Sequence, residues 1–209
     1  MKTRMYAWWI GLLGLALLIS ACSQTSQIEV VEIPAVGDIV TERYDLAGFT
    51  EVEIAGFFEA EVTQGEDFRV LVEAERALVP YLEIDVRGDL LQVGLKSGIT
   101  YNFENASQRV EVTLPALTLA KIGNHSELQL TGFGATENLQ LEVVDFSTLN
   151  GSVEAETLQV EVTNHSTLTL SGSASQVMGE VTNHSSADLT GLQAAEANID
   201  TDTQSTLRQ

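Results

Sequence analysis

A short polar motif recurs through the second half of the 209-residue chain, and its spacing restricts the folds available to it. Asn-His-Ser begins at positions 124, 164 and 183, and the related tripeptides Asp-Phe-Ser and Asp-Thr-Gln begin at 145 and 202. The steps between successive starts are therefore 21, 19, 19 and 19 residues. Each unit then contains a glycine, at 132, 151, 172 or 191. A repeat of about 20 residues predicts a solenoid, in which successive units stack on one another.

The hydrophobic pattern inside each unit has the two-residue period of a β-strand. Leu158, Val160 and Val162 are apolar, whereas Gln159 and Glu161 between them are polar. A leucine-rich repeat has a similar length, but the units lack its helical segment and its L-x-x-L-x-L pattern. The pattern therefore predicts an all-β fold, a parallel β-solenoid whose coils of 19–21 residues stack about 4.8 Å apart.

The same alternation begins well before the repeats. Apolar and acidic residues alternate from Glu51 to Ile54, and similar runs follow. We therefore predict one domain in two parts, a β-rich part over residues 39–115 that leads into solenoid repeats over residues 116–209. The single helical candidate is Glu73 to Val79, one or two turns that end before a proline.

Counting inward and outward positions through the tripeptide places its first and third residues on the inner face of each coil. Amide and hydroxyl groups stacked there can form hydrogen bonds from coil to coil and so satisfy one another. We therefore expect a structural set of residues at the bends, here called the bend ladder. Its members are Asn124, Asp145, Asn164, Asn183, Asp202, Ser126, Ser147, Ser166 and Ser185.

All three histidines occupy the middle, outward position of the tripeptide. His165 and His184 fall on adjacent coils, whereas Phe146 separates them from His125. Two neutral imidazoles one coil apart are candidate ligands for Zn²⁺, Ni²⁺ or Cu²⁺. A copied repeat also copies its surface residues, so the pattern arises equally well without a metal.

Three glutamates recur at the same spacing and are called the acidic column. Glu142, Glu161 and Glu180 lie 19 residues apart and are expected to stack on the outer surface. Like charges at that distance cost about 1 kcal/mol per neighbour in water. A bound Ca²⁺ would relieve this repulsion, and a solvated acidic face is the simpler interpretation.

The first 22 residues have the pattern of an export signal. Two basic residues precede an apolar run from Met5 to Ile19, shorter than the roughly 20 residues of a membrane-spanning helix. The following Ile19-Ser20-Ala21-Cys22 resembles the bacterial lipobox, which implies cleavage before Cys22 and lipid attachment to it. We therefore predict a lipoprotein signal peptide at 1–21, and a lipidated N-terminus and tether at 22–38. The predicted location is the outer membrane of a Gram-negative cell, or otherwise the outer face of the cell membrane.

The composition excludes several classes of partner. The chain has 30 acidic and 10 basic residues and a formal net charge of −20. Such an excess argues against nucleic acid and against anionic lipid surfaces, which bind through cationic groups. A single cysteine excludes an intrachain disulfide and a multi-cysteine zinc site. The sequence contains no phosphate loop and no common hydrolase motif, so we predict no cofactor.

Three segments, in their order along the chain, resemble a known family. They are Gly48-Phe49-Thr50-Glu51-Val52, Val62-Thr63-Gln64-Gly65 and Val112-Thr113-Leu114-Pro115-Ala116-Leu117, followed by short strand-turn repeats. This arrangement resembles the GIN domain family of auto-transporter adhesin heads, from about Gly48 to Leu207. The resemblance implies a right-handed β-helix-like fold on a cell-envelope protein, and it supplies no catalytic residues.

The leading interpretation is a lipid-anchored envelope protein with a non-catalytic, adhesin-like or scaffold domain that binds a glycan or an envelope protein. One alternative is an envelope enzyme that acts on polysaccharide, although Lys121 and Arg208 are the only Lys or Arg residues in the repeats. The other is a structural protein that self-associates weakly through its last coil, Asn198 to Gln209. Exposed strand edges of that kind pair readily with other chains.

Overall fold

The computed structural model describes residues 29–33, 37–103 and 108–209. The predicted signal peptide, Cys22 and most of the predicted tether lie outside the described residues. The strands are β1 Glu29–Ile33, β2 Ile39–Tyr44, β3 Glu51–Ala55, β4 Phe58–Gln64, β5 Arg69–Glu75, β6 Leu82–Arg87, β7 Leu90–Leu95, β8 Ile99–Phe103, β9 Gln108–Leu114, β10 Leu119–Gly123, β11 Glu127–Val143, β12 Thr148–Val162, β13 Thr167–Val181, β14 Ser186–Thr201 and β15 Thr206–Arg208. A short 3₁₀ helix at Val79–Tyr81 precedes β6. No helix in the described part of the chain is long and apolar enough to cross a membrane.

Thirteen strands form one curled, open sheet, and β1 and β8 form a separate parallel pair. The main path of the sheet runs β6-β7-β3-β10-β11-β12-β13-β14-β15. A second branch leaves β11 through β4, and β9, β5 and β2 follow it. The prediction of an all-β fold is confirmed, and the β-rich N-terminal part shares its sheet with the repeats.

The repeat strands are long because each one bends and contributes to two faces. β11 pairs with β4 through its first residues, Glu127–Thr131, and with β10 through its last, 140–143. We call the surface made by the first halves of β11–β14 the first face, and the surface made by their second halves the second face. The coils are thus built of two strand segments joined by tight bends.

Neighbouring coils pair in parallel with a constant offset. Leu139 lies opposite Leu158, which in turn lies opposite Val177, so each partner is 19 residues further along the chain. This register stacks identical positions and gives continuous inward columns; the column of Leu128, Leu149, Leu168 and Ala187 is fully buried. Burial of each leucine side chain contributes about 1.5–3 kcal/mol. The apolar positions of the repeat therefore form the core between the two faces.

The helix expected at 73–79 is wrong. Glu73, Ala74 and Glu75 complete β5, which lies between β2 and β9 and pairs with both in antiparallel fashion. Pairing on both edges outweighs the weak helix propensity of this short segment. Only the 3₁₀ turn remains helical, and Pro80 lies in it, where its missing N–H costs nothing.

Candidate functional site

The bends that join the second face to the first have a rare backbone conformation. Asn164 and His165 have φ values of 59° and 63°, and the pairs at 124–125, 145–146 and 183–184 have φ values between 53° and 63°. Two consecutive left-handed residues reverse the chain sharply. This conformation costs roughly 1–2 kcal/mol per residue, least for Asn and Asp, which explains the residue type at the first position.

These left-handed pairs also break the inward–outward alternation, so one expectation is wrong. The side chains of Asn124 and Asn183 are exposed and that of Asn164 is half-buried, rather than facing inward. The third position is buried as expected: Ser126, Ser147, Ser166 and Ser185 are at most 2% exposed. The serines therefore lie inside the bend, whereas the Asn and Asp residues flank it at the surface.

The serines of the bend ladder bond to one another through the backbone. The Ser126 N–H donates to Ser147 Oγ at 3.2 Å, and the Ser147 N–H donates to Ser166 Oγ at 3.3 Å. The Ser166 N–H continues the series to Ser185 Oγ at 3.2 Å, and Ser126 Oγ accepts from the Phe58 N–H at 3.1 Å. Each buried hydroxyl thus satisfies a backbone donor that the bend leaves without a strand partner.

The first-position residues form a second, outer series of bonds. Asn164 Nδ2 donates to Asp145 Oδ1 at 2.8 Å, and Asn183 Nδ2 donates to Asn164 Oδ1 at 3.2 Å. At the last bend Asp202 Oδ2 accepts from the Asn183 N–H at 2.7 Å. This backbone donor, followed by the Ser205 hydroxyl, lowers the pKa of Asp202. The polar groups of the bends are therefore occupied by contacts within the chain.

The outward middle positions form a stack of rings. His125, Phe146, His165 and His184 lie one above another with ring centroids 4.9–5.0 Å apart and planes within 15° of parallel. Phe57 extends the stack, 5.1 Å from His125. The ring faces between the two ends are covered by neighbouring rings. Solvent therefore meets mainly ring edges, so that the stack lacks the open face on which a sugar or a cation would lie.

The two histidines proposed as metal ligands are adjacent, but their geometry is unsuited to a shared ion. The ring centroids of His165 and His184 are 4.9 Å apart and their planes differ by 6°. A bound metal lies in the ring plane about 2.1 Å from the ligating nitrogen, and two nearly parallel planes do not meet near the rings. One ring must leave the stack before both can ligate. In the part of the chain that the structure describes, no group of three or more candidate ligands lies together.

The acidic column lies on the second face with a cation at one end. Glu142 lies opposite Glu161, and Glu161 opposite Glu180. Lys121 Nζ lies 3.6 Å from Glu142 Oε2 and 3.4 Å from Glu53 Oε1. Burial, followed by the charges of Glu142 and Glu180, raises the pKa of Glu161. The column is thus a solvated acidic surface in which only its first glutamate is paired.

The first face carries two depressions of different character. One, of about 400 Å³, is acidic and is lined by Glu59, Glu61 and Glu127 with Arg109 among them. Arg109 lies 3.7 Å from Glu59 and partly neutralises it. The other, of about 460 Å³, we call the polar groove; it is lined by Gln129, Leu130, Thr131, Gly132, Asn150, Gly151, Ser152, Thr169, Leu170, Ser171, Asp188, Thr190 and Gly191.

Sequence reasoning missed three members of these arrangements. Ser205 closes the serine series, because Ser185 N–H donates to its Oγ at 3.2 Å, although it lies one place later than the repeat spacing predicts. The last bend is one residue longer, with Ser205 N–H donating to the Asp202 carbonyl at 3.4 Å. Phe57 and Phe103 extend the ring stack from outside the repeats. The Gly56-Phe57 pair, which lies between β3 and β4, was the available signal for a further bend.

The comparisons with known proteins agree with this architecture. A family model described as "Putative auto-transporter adhesin, head GIN domain" matches residues 48–208. The chain belongs to this family. The resemblance drawn from the sequence is therefore confirmed. No curated protein matches the chain in sequence.

Several solved structures share the fold at low sequence identity. A putative adhesin from Bacteroides fragilis is 13% identical with a TM-score of 0.73, and the match covers 82% of this chain and 79% of that one. A putative lipid binding protein from Parabacteroides distasonis is 12% identical with a TM-score of 0.65, covering 83% and 81%. A putative adhesin from the same organism is 17% identical with a TM-score of 0.64, also covering 83% and 81%. At such identities the likeness is one of fold.

Proposed function

We propose that this protein is a lipid-anchored protein of the bacterial cell envelope whose β body is a non-catalytic binding and display module. The anchor is supported by one observation, the position of Cys22, the only cysteine, directly after an apolar export signal and Ile19-Ser20-Ala21. Acyl chains contribute about 0.8 kcal/mol per buried methylene, and two or more chains anchor a protein stably. The family's adhesin description supports a location at the cell surface.

The tether fixes how the body is displayed. Residues 22–38 span at most about 55–60 Å when fully extended, which is enough to hold the body clear of the bilayer. The body itself is stiff, because each coil pairs along most of its length with the coils on either side. Part of this proposal is that the coils wind as a right-handed parallel β-helix, as the family resemblance implies.

A binding module is favoured over an enzyme by the arrangement of the acidic groups. Hydrolysis of a glycan needs an acid and a base that converge on one bond. Glu161, the glutamate with a raised pKa, faces other glutamates in an open column. The named relatives and structural neighbours are adhesins or a lipid-binding protein.

Replacement of the anchor residue tests the proposal. We expect Cys22→Ala, expressed in a bacterial host, to leave the membrane fraction and appear in the periplasm or the medium. The unaltered chain should incorporate radiolabelled palmitate and sediment with membranes. Sedimentation of Cys22→Ala with membranes to the same extent would contradict lipid anchoring.

A second candidate role, weak self-association, is favoured by the last coil. β14 pairs with β13 over most of its length, whereas β15 covers only three of its residues, Ser186–Asp188. Residues 191–201 therefore have a free strand edge within the described part of the chain. We expect light scattering at high protein concentration to show dimers, and a monomer at every concentration would exclude this role.

A further inference from the structure

The polar groove differs from every other polar region of the molecule in the state of its hydrogen-bonding groups. At the bends, the serine hydroxyls and the Asn and Asp side chains bond to the chain itself. In the groove, the side chains of Thr131, Asn150, Ser152 and Thr169 form no hydrogen bond with any other described residue. Their donors and acceptors meet only solvent and are free to meet a ligand.

The groove is also nearly neutral, although the protein is strongly acidic. Asp188 is the one charged residue that lines it. Its Oδ1 accepts from the Thr190 hydroxyl at 2.7 Å and the Thr190 N–H at 3.1 Å, and its Oδ2 lies 3.8 Å from Arg208. These contacts lower the pKa of Asp188, so its charge is held against its own neighbours. The amides and hydroxyls beside it set the chemistry of the groove.

The free groups are arranged in a regular row across the coils. Gln129, Asn150, Thr169 and Asp188 lie opposite one another on four successive strands. Strands in a sheet are about 4.8 Å apart, so the row spans about 14 Å. Ser152 and Ser171 form a parallel row two residues further along the strands. The depression is therefore longer than one small molecule and repeats its donors and acceptors at each coil.

We infer that the polar groove binds an extended, uncharged oligosaccharide that lies across the coils. Hydroxyl groups on successive sugar units would exchange hydrogen bonds with the amides and hydroxyls of successive coils. Glycines at 132, 151 and 191 line the groove and let a ligand approach the backbone closely. This inference rests on the proposed function and names the ligand class of the binding module.

The groove has no aromatic platform, so the affinity of one body is low. Hydrogen bonds to a solvated ligand are each weak in water, and a few of them correspond to a dissociation constant of about 1 mM. Many copies anchored in one membrane raise the effective affinity by two or more orders of magnitude without any new contact. Weak single sites and dense display are consistent with adhesion to a repetitive glycan.

Weak-affinity chromatography can test the inference with the full lipidated chain. The chain is extracted in a zwitterionic, sugar-free detergent and immobilised. The probes are cellohexaose, xylohexaose and mannohexaose, and hexagalacturonic acid is the charged counterpart of similar length. We expect at least one neutral hexasaccharide to be retained, and hexagalacturonic acid to bind about tenfold more weakly or less because of the protein's negative field.

Matched double variants then locate the site. Asn150→Ala/Thr169→Ala removes two free groups from the groove, and Thr148→Ala/Thr167→Ala removes two hydroxyls from the same strands two residues earlier, outside the groove. We expect the first variant to lose about tenfold in affinity and the second to bind like the unaltered chain. Equal retention by both variants, or no retention of any neutral probe, would overturn the inference. Membrane anchoring through Cys22 is measured separately, so the binding module can fail this test while the anchor stands.

Discussion

The bends and the polar groove are both built from small polar residues on the same stacked coils, and they use those residues in opposite ways. At the bends, hydroxyl and carboxamide groups replace backbone partners that the chain reversal removes. In the groove, the same kinds of group project from regular strand positions, where the ladder already satisfies the backbone. The more conspicuous repeat is therefore structural, and the less conspicuous one is available for binding.

This contrast changes the meaning of the repeated Asn-His-Ser motif. Its Asn tolerates the left-handed backbone, and its Ser accepts a buried N–H bond. Its His lies in a stack whose faces are covered. Each residue of the motif thus has a structural reason to recur, and none of the three needs a ligand to explain it.

The largest effect that separates the two regions is expected from Ser166→Ala. Ser166 is 1% exposed and accepts the Ser147 N–H, so the substitution leaves a buried donor unpaired. We expect the free energy of unfolding to fall by about 1–3 kcal/mol, measured by denaturant titration. Ser171→Ala, on the same strand but exposed in the groove, should change it by less than about 0.5 kcal/mol. Equal losses from the two variants would remove the distinction between bend and groove.

A somewhat smaller effect is expected from Asn164→Ala. The substitution removes bonds to Asp145 and Asn183 and places a Cβ-branched penalty-prone alanine at φ 59°. We expect a loss of about 1–2 kcal/mol in the same titration. Asn164→Gly removes the same bonds but accepts the backbone angle, so it should be the milder of the two. If glycine were no better than alanine, backbone strain would contribute nothing at the bends.

The smallest effect, of opposite sign, is expected from Glu161→Gln on the second face. The pKa of Glu161 is raised above its ordinary value of 4.5, so the folded state binds the proton more tightly than the unfolded state. The stability contribution of this group is therefore complete below that value and is lost as the pH rises through the pKa of the folded state. Glutamine stays neutral, and we expect it to raise stability at pH 7 by up to about 1 kcal/mol.

The pH dependence distinguishes column repulsion from a general effect of charge removal. The gain from Glu161→Gln should shrink as the pH is lowered and the native glutamate becomes protonated. Glu154→Gln, on the same strand but opposite the neutral Ser173, should give little gain at either pH. Thermal unfolding at both pH values measures the difference, and equal gains from the two variants would exclude repulsion within the column.

Much of the architecture could be predicted because it depends on local rules that repeat. The 19-residue step set the register, and the two-residue period separated core positions such as Leu158 and Val160 from their polar neighbours. The inward placement of Asn164 could not be predicted from alternation, because two left-handed residues reset the side-chain direction. The ring stack was extended by Phe57 from outside the repeats, and that contact depends on β4 pairing with β11.

The groove was missed for a different reason. Its residues are chemically ordinary, and their value depends on what they do not bond to, which only the folded structure reveals. Thr169 and Thr167 are indistinguishable as letters two places apart on one strand. Their surroundings separate them, since one lines a depression and the other does not.

The constant 19-residue register also makes the length of this molecule adjustable in whole steps. Duplication of one unit would add a coil about 4.8 Å thick, and every inward leucine and serine would meet an equivalent neighbour. An insertion of a single residue into a strand would instead turn the apolar side chains that follow it toward water. Evolution can therefore lengthen or shorten the binding surface by copying or deleting units, while smaller changes in length are confined to the turns.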